Sequence, residues 1–216
     1  MADNLKFPEY FKSLNSNLIF SLISAASVLR KEQLLRKALL FCKKNNVSTT
    51  KIYETLLQTY LFAGFPSALN SLKIFSEYFP SNNRQISSAP IKVLRKKGKI
   101  INKKIYGDKQ GKLLANIKIF SPELSEWLLI EGYGKVLSRR GMQLKERELS
   151  IITILSVQKF ESQLYSHING AYKLGVPIKE IYESIEILNK IGEKQLSKFG
   201  LNVLRKYKIR NGILLK

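Results

Sequence analysis

Glu161-Ser-Gln-Leu-Tyr-Ser-His167-Ile-Asn-Gly-Ala171, followed by Gly175-Val-Pro177 and Glu180-Ile-Tyr-Glu183, is the stretch whose reading decides the fold. Phe160, Gln163 or Leu164, and His167 fall at i, i+3/i+4 and i+7, so they share one helix face. The helix is expected over Glu161 to Lys173. Gly175-Val176-Pro177 then breaks the chain, and a further helix is expected from Ile178 to about Phe199.

Upstream, helices are expected from Leu144 to Gln158 and from Ser121 to about Ser138, with Arg139-Arg140-Gly141 turning between them. Ser121-Pro122-Glu123 is a strong helix start: a capping hydroxyl, proline at the first position and an acid in the first turn. The N-terminal half reads the same way, with helices over Glu9–Leu29, Lys31–Lys44, Thr49 to about Phe62 and Ser67–Phe79. Gly64 and Pro66 break the third from the fourth. No useful strand-like alternation occurs, and the chain is expected to be all-α.

Pro80 to Pro90 is polar and is the best linker candidate. Beyond it, Lys92 to Lys118 carries ten basic residues and one acid, Asp108. Val93, Lys97, Ile100, Ile101 and Ile105 follow a helical track there, which predicts an amphipathic helix docked on one side.

The last helix pair resembles an earlier one. Asn46-Val47-Ser48, three residues, then Ile52-Tyr53-Glu54 parallels Gly175-Val176-Pro177, three residues, then Ile181-Tyr182-Glu183. At that constant offset Cys42 faces Ala171 and Ala38 faces His167. The expected organisation is a first helical repeat at 1–80, a linker and basic helix at 81–120, and a second repeat at 121–216.

The 216 residues are 44% apolar and 25% charged, which suits a folded globular chain. One cysteine, Cys42, excludes an intramolecular disulfide and a CxxC redox pair, and one cysteine with one histidine leaves little for zinc, since a structural site usually takes four N/S ligands. A signal peptide is not expected, because the N-terminal segment carries Asp3 and Glu9 and lacks a basic region followed by an apolar core, nor is a membrane helix, because Ser21, Ser24 and Ser27 interrupt the short apolar run Leu18 to Leu29. A cytoplasmic protein is the expectation. Lys and Arg number 37 against 16 Asp and Glu, a formal charge of +21. Two readings of that charge are open: attraction of phosphates, nucleic acid or anionic substrates, or lysines that merely fill solvated helix faces. The basic segment interleaves only Tyr106 and Phe120 among its lysines, which favours the second.

Three further groups of residues point to a known family. They are Leu144-Lys-Glu-Arg-Glu-Leu149, the 161–183 stretch, and Ile52-Tyr-Glu54 with Tyr60 and Gly64-Phe-Pro-Ser-Ala-Leu-Asn70. Together they resemble the carboxymuconolactone decarboxylase family, which includes the alkylhydroperoxidase D-like group. Ile105-Tyr-Gly107 and Ser121 to Arg139 look like the region that joins the repeats in tandem members. The resemblance covers about residues 30 to 200 and implies a tandem duplicated helical bundle.

In the peroxidase branch the site is a Glu, eleven residues, a Cys, two residues, a second Cys, three residues and a His. Here those positions hold Glu148, Phe160, Gln163 and His167. Without a thiolate and a resolving thiol, disulfide-exchange reduction of a peroxide has no route. The decarboxylase branch lacks the cysteine pair too, and its reaction, loss of CO2 from a carboxylated unsaturated lactone, needs no metal or organic cofactor. The resemblance therefore implies Glu148 and His167 as a proton-transfer pair. Gln163 is a candidate hydrogen-bond donor to substrate, Arg147 and Arg139 are candidates to grip its carboxylate, and Phe160 is a candidate wall. It further implies a homo-oligomer, trimeric or hexameric, acting on a small carboxylated or carbonyl compound as lyase or isomerase. The alternative expectation is a non-catalytic oligomeric member that binds nucleic acid or other anions.

Overall fold

The computed structural model describes residues 7–14, 16–80, 89–107 and 110–213, and every regular element among them is helical. The all-α expectation holds. After a 3-10 turn at Glu9–Ser13 come α1 (Ser16–Val28), α2 (Glu32–Lys44), α3 (Thr49–Gln58), α4 (Tyr60–Tyr78), α5 (Ile91–Tyr106), α6 (Gln110–Phe120) and α7 (Pro122–Trp127). A ten-residue π-helix, Leu128–Leu137, continues α7. The C-terminal half is α8 (Leu144–Gln158), α9 (Glu161–Lys173), α10 (Ile178–Lys190) and α11 (Lys194–Arg210).

The turns that follow the first two helices of each half match in backbone detail. Arg30 after α1 and Lys159 after α8, one constant offset apart, are both left-handed, with φ of 55° and 58°. In each case the next residue turns its N–H back onto the helix: Lys31 to the Ala26 carbonyl, Phe160 to that of Leu155. At the same offset Asn46 and Gly175 have positive φ, and Val47 and Val176 donate to the carbonyls of Cys42 and Ala171. The order α1–α4 is thus repeated as α8–α11.

Central in each half is a helix buried nearly all round: Leu18–Ser27 of α1 and Glu146–Ser156 of α8. Hydroxyl residues every third position, Ser21, Ser24 and Ser27 against Ser150, Thr153 and Ser156, keep these helices slim, and they pack against each other. Thr153 and Ser156 satisfy their buried hydroxyls on the carbonyls one turn back, at 3.1 and 2.8 Å. The cores also interlock. Ile187 and Leu188 of α10 join the core around α1, while Tyr60, Leu61 and Phe62 pack on the core around α8.

Several expected boundaries move. The N-terminal helix is interrupted at Leu14, which is extended, as Phe7 and Phe11 fold onto Phe41 with ring centroids 5.5 and 5.2 Å away. The expected Ile178–Phe199 helix is two helices, because Gly192 at φ 89° turns the chain. Gly64, at φ 79°, marks the expected break inside α4, with Pro66 just beyond it. Residues 81–88, most of the Pro80–Pro90 linker candidate, lie outside the described residues.

The basic segment is also two helices rather than one, parted at Gly107 (φ 61°). Of the expected track Ile105 is buried, but Val93, Lys97 and Ile100 are exposed, and the docked face runs instead through Gly98 and Asn102 to Ile105. The cause is a backbone crossing. A Cβ on Gly98 would stand 2.1 Å from the Leu129 carbonyl oxygen, and one on Gly134 2.2 Å from that of Leu94. Two glycines let α5 and the π-helix touch main chain to main chain, and that contact, rather than the isoleucine track, sets the rotation of α5. Among the described residues no helix is long and apolar enough to cross a membrane.

Candidate acid–base site

Glu148 stands in the second turn of α8, and His167 in the middle of α9. The left-handed turn at Lys159 folds the two helices back on each other. His167 Nδ1 then lies 2.8 Å from Glu148 Oε2, with the carboxylate side chain fully buried and the imidazole 10% exposed. Gly170, one turn beyond His167, makes room for Ile105 of α5, whose Cγ2 a Cβ there would meet at 2.7 Å. Phe62, from the first half, meets the imidazole edge-on at 5.7 Å. A carboxylate on Nδ1 fixes the ring's orientation and tautomer and leaves Nε2 as the basic nitrogen. Among the described residues none bonds Nε2.

At the same positions of the first half stand Ile19 and Ala38, both buried in the core. The first half therefore has apolar packing where the second has an ionisable pair. Cys42 is buried too, and burial pushes its thiol up to about 12.

The other expected site residues are placed differently. Gln163 is exposed and accepts from the Ser162 hydroxyl at 2.8 Å, and Phe160 is half exposed, so both lie on the outer part of the helix that carries His167. Arg147 and Arg139 converge on Glu54 of α3. The Arg147 guanidinium, fully buried, donates to Glu54 Oε2 at 2.8 Å, to Gln58 at 3.3 Å and to the Arg139 carbonyl at 3.2 Å. Arg139 Nε lies 2.8 and 2.9 Å from the two Glu54 oxygens. Burial lowers the Arg147 pKa from its ordinary value, against the pull of Glu54. Both arginines are thus engaged with one carboxylate of the first half.

Two residues absent from the expected site, Tyr106 of α5 and Tyr133 of the π-helix, lie within the field of Glu148, and Asn102 of α5 stands beside Tyr133. The Tyr133 hydroxyl lies 3.1 Å from that of Tyr106. Burial, and secondarily the field of Glu148, push Tyr106 up to about 12; burial, then Tyr106 and after it Glu148, hold Tyr133 well above its ordinary value. The i, i+4 spacing of Asn102 and Tyr106 was the available signal. It is hidden among lysines that draw the eye to the opposite face.

No family model matches this sequence. Peroxisomal protein 2 of Schizosaccharomyces pombe (strain 972 / ATCC 24843) is 30% identical to it over 149 residues, 67% of this chain and 70% of the relative. The chain belongs to the family of that protein.

Proposed function

We propose that this chain is a tandem member of the carboxymuconolactone decarboxylase family, and that its second half performs cofactor-independent proton transfer on a small carboxylated or carbonyl compound, as a lyase or isomerase. The observation that carries the reading is the 2.8 Å contact between His167 Nδ1 and Glu148 Oε2 inside a helical core. In this reading Nε2 takes or delivers a proton at a substrate carbon, and Glu148 stabilises the imidazolium that forms. Gln163 and Phe160 form the outer rim where substrate enters. Arg139 and Arg147 are left out of the site, because Glu54 engages both. Peroxide reduction by thiol–disulfide exchange is not proposed, since the chain has a single cysteine.

The test is turnover of a panel of small unsaturated lactones and β-keto acids by the full chain and two variants. His167→Ala and Glu148→Gln should each lose activity by two orders of magnitude or more, on the scale of a lost general acid–base group (about 10²–10⁴-fold), with helical content unchanged. Equal turnover in all three proteins would remove the reading.

A second reading, a non-catalytic anion-binding protein, is favoured by one observation: Lys92, Lys96, Lys103 and Lys104 all lie exposed along α5. It requires nucleic-acid affinity that falls steeply with salt and with Lys→Glu changes on that helix. Assembly into a trimer or hexamer belongs to the same proposal. It is supported by exposed apolar side chains such as Phe65 and Phe120 and is measured by sedimentation equilibrium. The relative's name further leads us to propose the peroxisome, rather than the expected cytoplasm, as the working compartment; co-localisation of the tagged full chain with a peroxisomal marker checks it.

A further inference from the structure

The segment between the two halves closes over the acid–base pair with a polar wall that has no counterpart among the residues the family resemblance implies. Asn102 and Tyr106 stand one turn apart on the docked face of α5, on either side of Ile105. Ile105 is itself close to the acid. The point where a Gly170 Cβ would sit is 2.7 Å from Ile105 Cγ2 and 3.5 Å from Glu148 Oε2. Tyr133, flanked by Gly132 and Gly134 in the π-helix, completes the wall with its hydroxyl on that of Tyr106. Irregular π-helical turns of this kind recur at functional sites.

The hydrogen-bonding capacity of this wall is larger than its protein partners use. Glu148 Oε2 is taken by His167, but Glu148 Oε1 is buried and bonds to none of the described residues. The Asn102 carboxamide is fully buried as well. It faces the Tyr133 hydroxyl without closing a hydrogen bond, and neither its oxygen nor its nitrogen is matched among the described residues. With Tyr133 donating to Tyr106, the Tyr106 hydrogen is still to be placed. The groups left to be matched along this wall are thus two acceptors, Glu148 Oε1 and Asn102 Oδ1, and two donors, Asn102 Nδ2 and the Tyr106 hydroxyl. Buried polar atoms left without partners cost about 1–3 kcal/mol each, so a matched set of this kind calls for an occupant. An anion is excluded by the adjacent carboxylate and a metal ion by the N–H and O–H donors. A molecule that both donates and accepts fits.

We propose that Asn102, Tyr106 and Glu148 Oε1 form a binding site for one water molecule, and that Asn102, Tyr106 and Tyr133 are positioning residues that hold Glu148 for His167 through it. A chain of hydrogen bonds then runs from Tyr133 through Tyr106 and the water to Glu148 and on to the imidazole. Charge-assisted bonds of the carboxylate at both oxygens fix its plane, and with it the direction in which His167 Nε2 points. The role assigned to these residues rests on the acid–base reading of Glu148 and His167, whereas the water site itself does not.

The experiment is NMR on the 15N-labelled full chain, which holds a single histidine and hence one imidazole signal. Wild-type protein should show magnetisation transfer from a long-lived water to the Asn102 side-chain amide. Tyr106→Phe keeps the ring and its packing while removing the hydroxyl. It should abolish that transfer and move the His167 Nδ1–H resonance downfield, because a carboxylate that loses one donor binds the remaining one more strongly. Tyr165→Phe, whose ring packs on Tyr207 at 5.4 Å, is the control that leaves both signals in place. Absence of the water transfer in wild type, or a His167 signal that stays put in Tyr106→Phe, overturns the proposal. Turnover is not part of this test, so a negative result here leaves the acid–base reading to its own assay.

Discussion

Glu54 of α3 and Arg147 of α8 form a buried ion pair across the two halves of the chain, 2.8 Å between carboxylate and guanidinium, with Arg147 fully buried and Glu54 nearly so. Two charges withdrawn from water at this depth are costly singly and tolerable together. Arg139 shares the same carboxylate from the turn before α8, so one acid of the first half holds two basic groups of the second.

Removing one partner is therefore expected to be much worse than removing both. Glu54→Gln should lower unfolding stability by about 3–5 kcal/mol, the scale for an uncompensated buried charge. Glu54→Leu combined with Arg147→Met should lose less than either single change. Urea denaturation of the two singles and the double, arranged as a cycle, measures the coupling. A double variant as unstable as the sum of its singles would show the pair to be uncoupled.

Cys42 is expected to be chemically silent in the native protein. Burial pushes its pKa up to about 12, so at pH 8 the thiolate, which is the nucleophile, is a negligible fraction. The thiol should resist a maleimide in buffer and be labelled to one equivalent per chain in denaturant. Labelling of the folded chain at a free-thiol rate would contradict the buried placement on α2.

Lys159 gives a stabilising change. Its φ of 58° is a left-handed conformation that costs a residue with a Cβ roughly 1–2 kcal/mol, and its side chain is exposed. Lys159→Gly should raise unfolding stability by about 0.5–1 kcal/mol, the strain relieved minus the extra freedom glycine gives the unfolded chain. Arg30→Gly, at the equivalent turn of the first half, should do the same. The two gains should add, since the turns belong to different units. Thermal unfolding of the singles and the double checks this.

Much of this was legible in the sequence because it is local. Helical periodicity, the capping Ser121 with Pro122, and the breaks at Gly64 and Gly175 all act over one or two turns, and they place most of the helices. The spacing of Glu148 and His167 was sufficient to bring that pair together, since only one tight turn lies between their helices. What was not legible depends on contacts distant in sequence. Arg147 reads as a substrate-binding cation until Glu54, from another helix, takes it. The docked face of α5 follows from a glycine crossing with a π-helix that no periodicity signals, and with that face hidden, Asn102 and Tyr106 pass as unremarkable residues in a lysine-rich run.

That crossing yields a sharp test of what the linker does. At Gly98 an added Cβ meets the Leu129 carbonyl oxygen at 2.1 Å and its carbon at 3.1 Å, both main chain, so no rotamer change relieves the clash. Gly98→Ala must push α5 away from the π-helix and is expected to lose about 2–3 kcal/mol, the upper range for overpacking. The same displacement carries Asn102 and Tyr106 away from Tyr133 and Glu148, so any activity of the acid–base pair should fall with it. Gly111→Ala in α6 is the matched control. Nothing lies within 4 Å of its Cβ, and replacing glycine inside a helix should gain up to about 1 kcal/mol. Chemical denaturation of both variants, read beside turnover, separates a crossing that merely stabilises the linker from one that also sets the site. A destabilised Gly98→Ala protein with unchanged activity would confine the crossing to the first role.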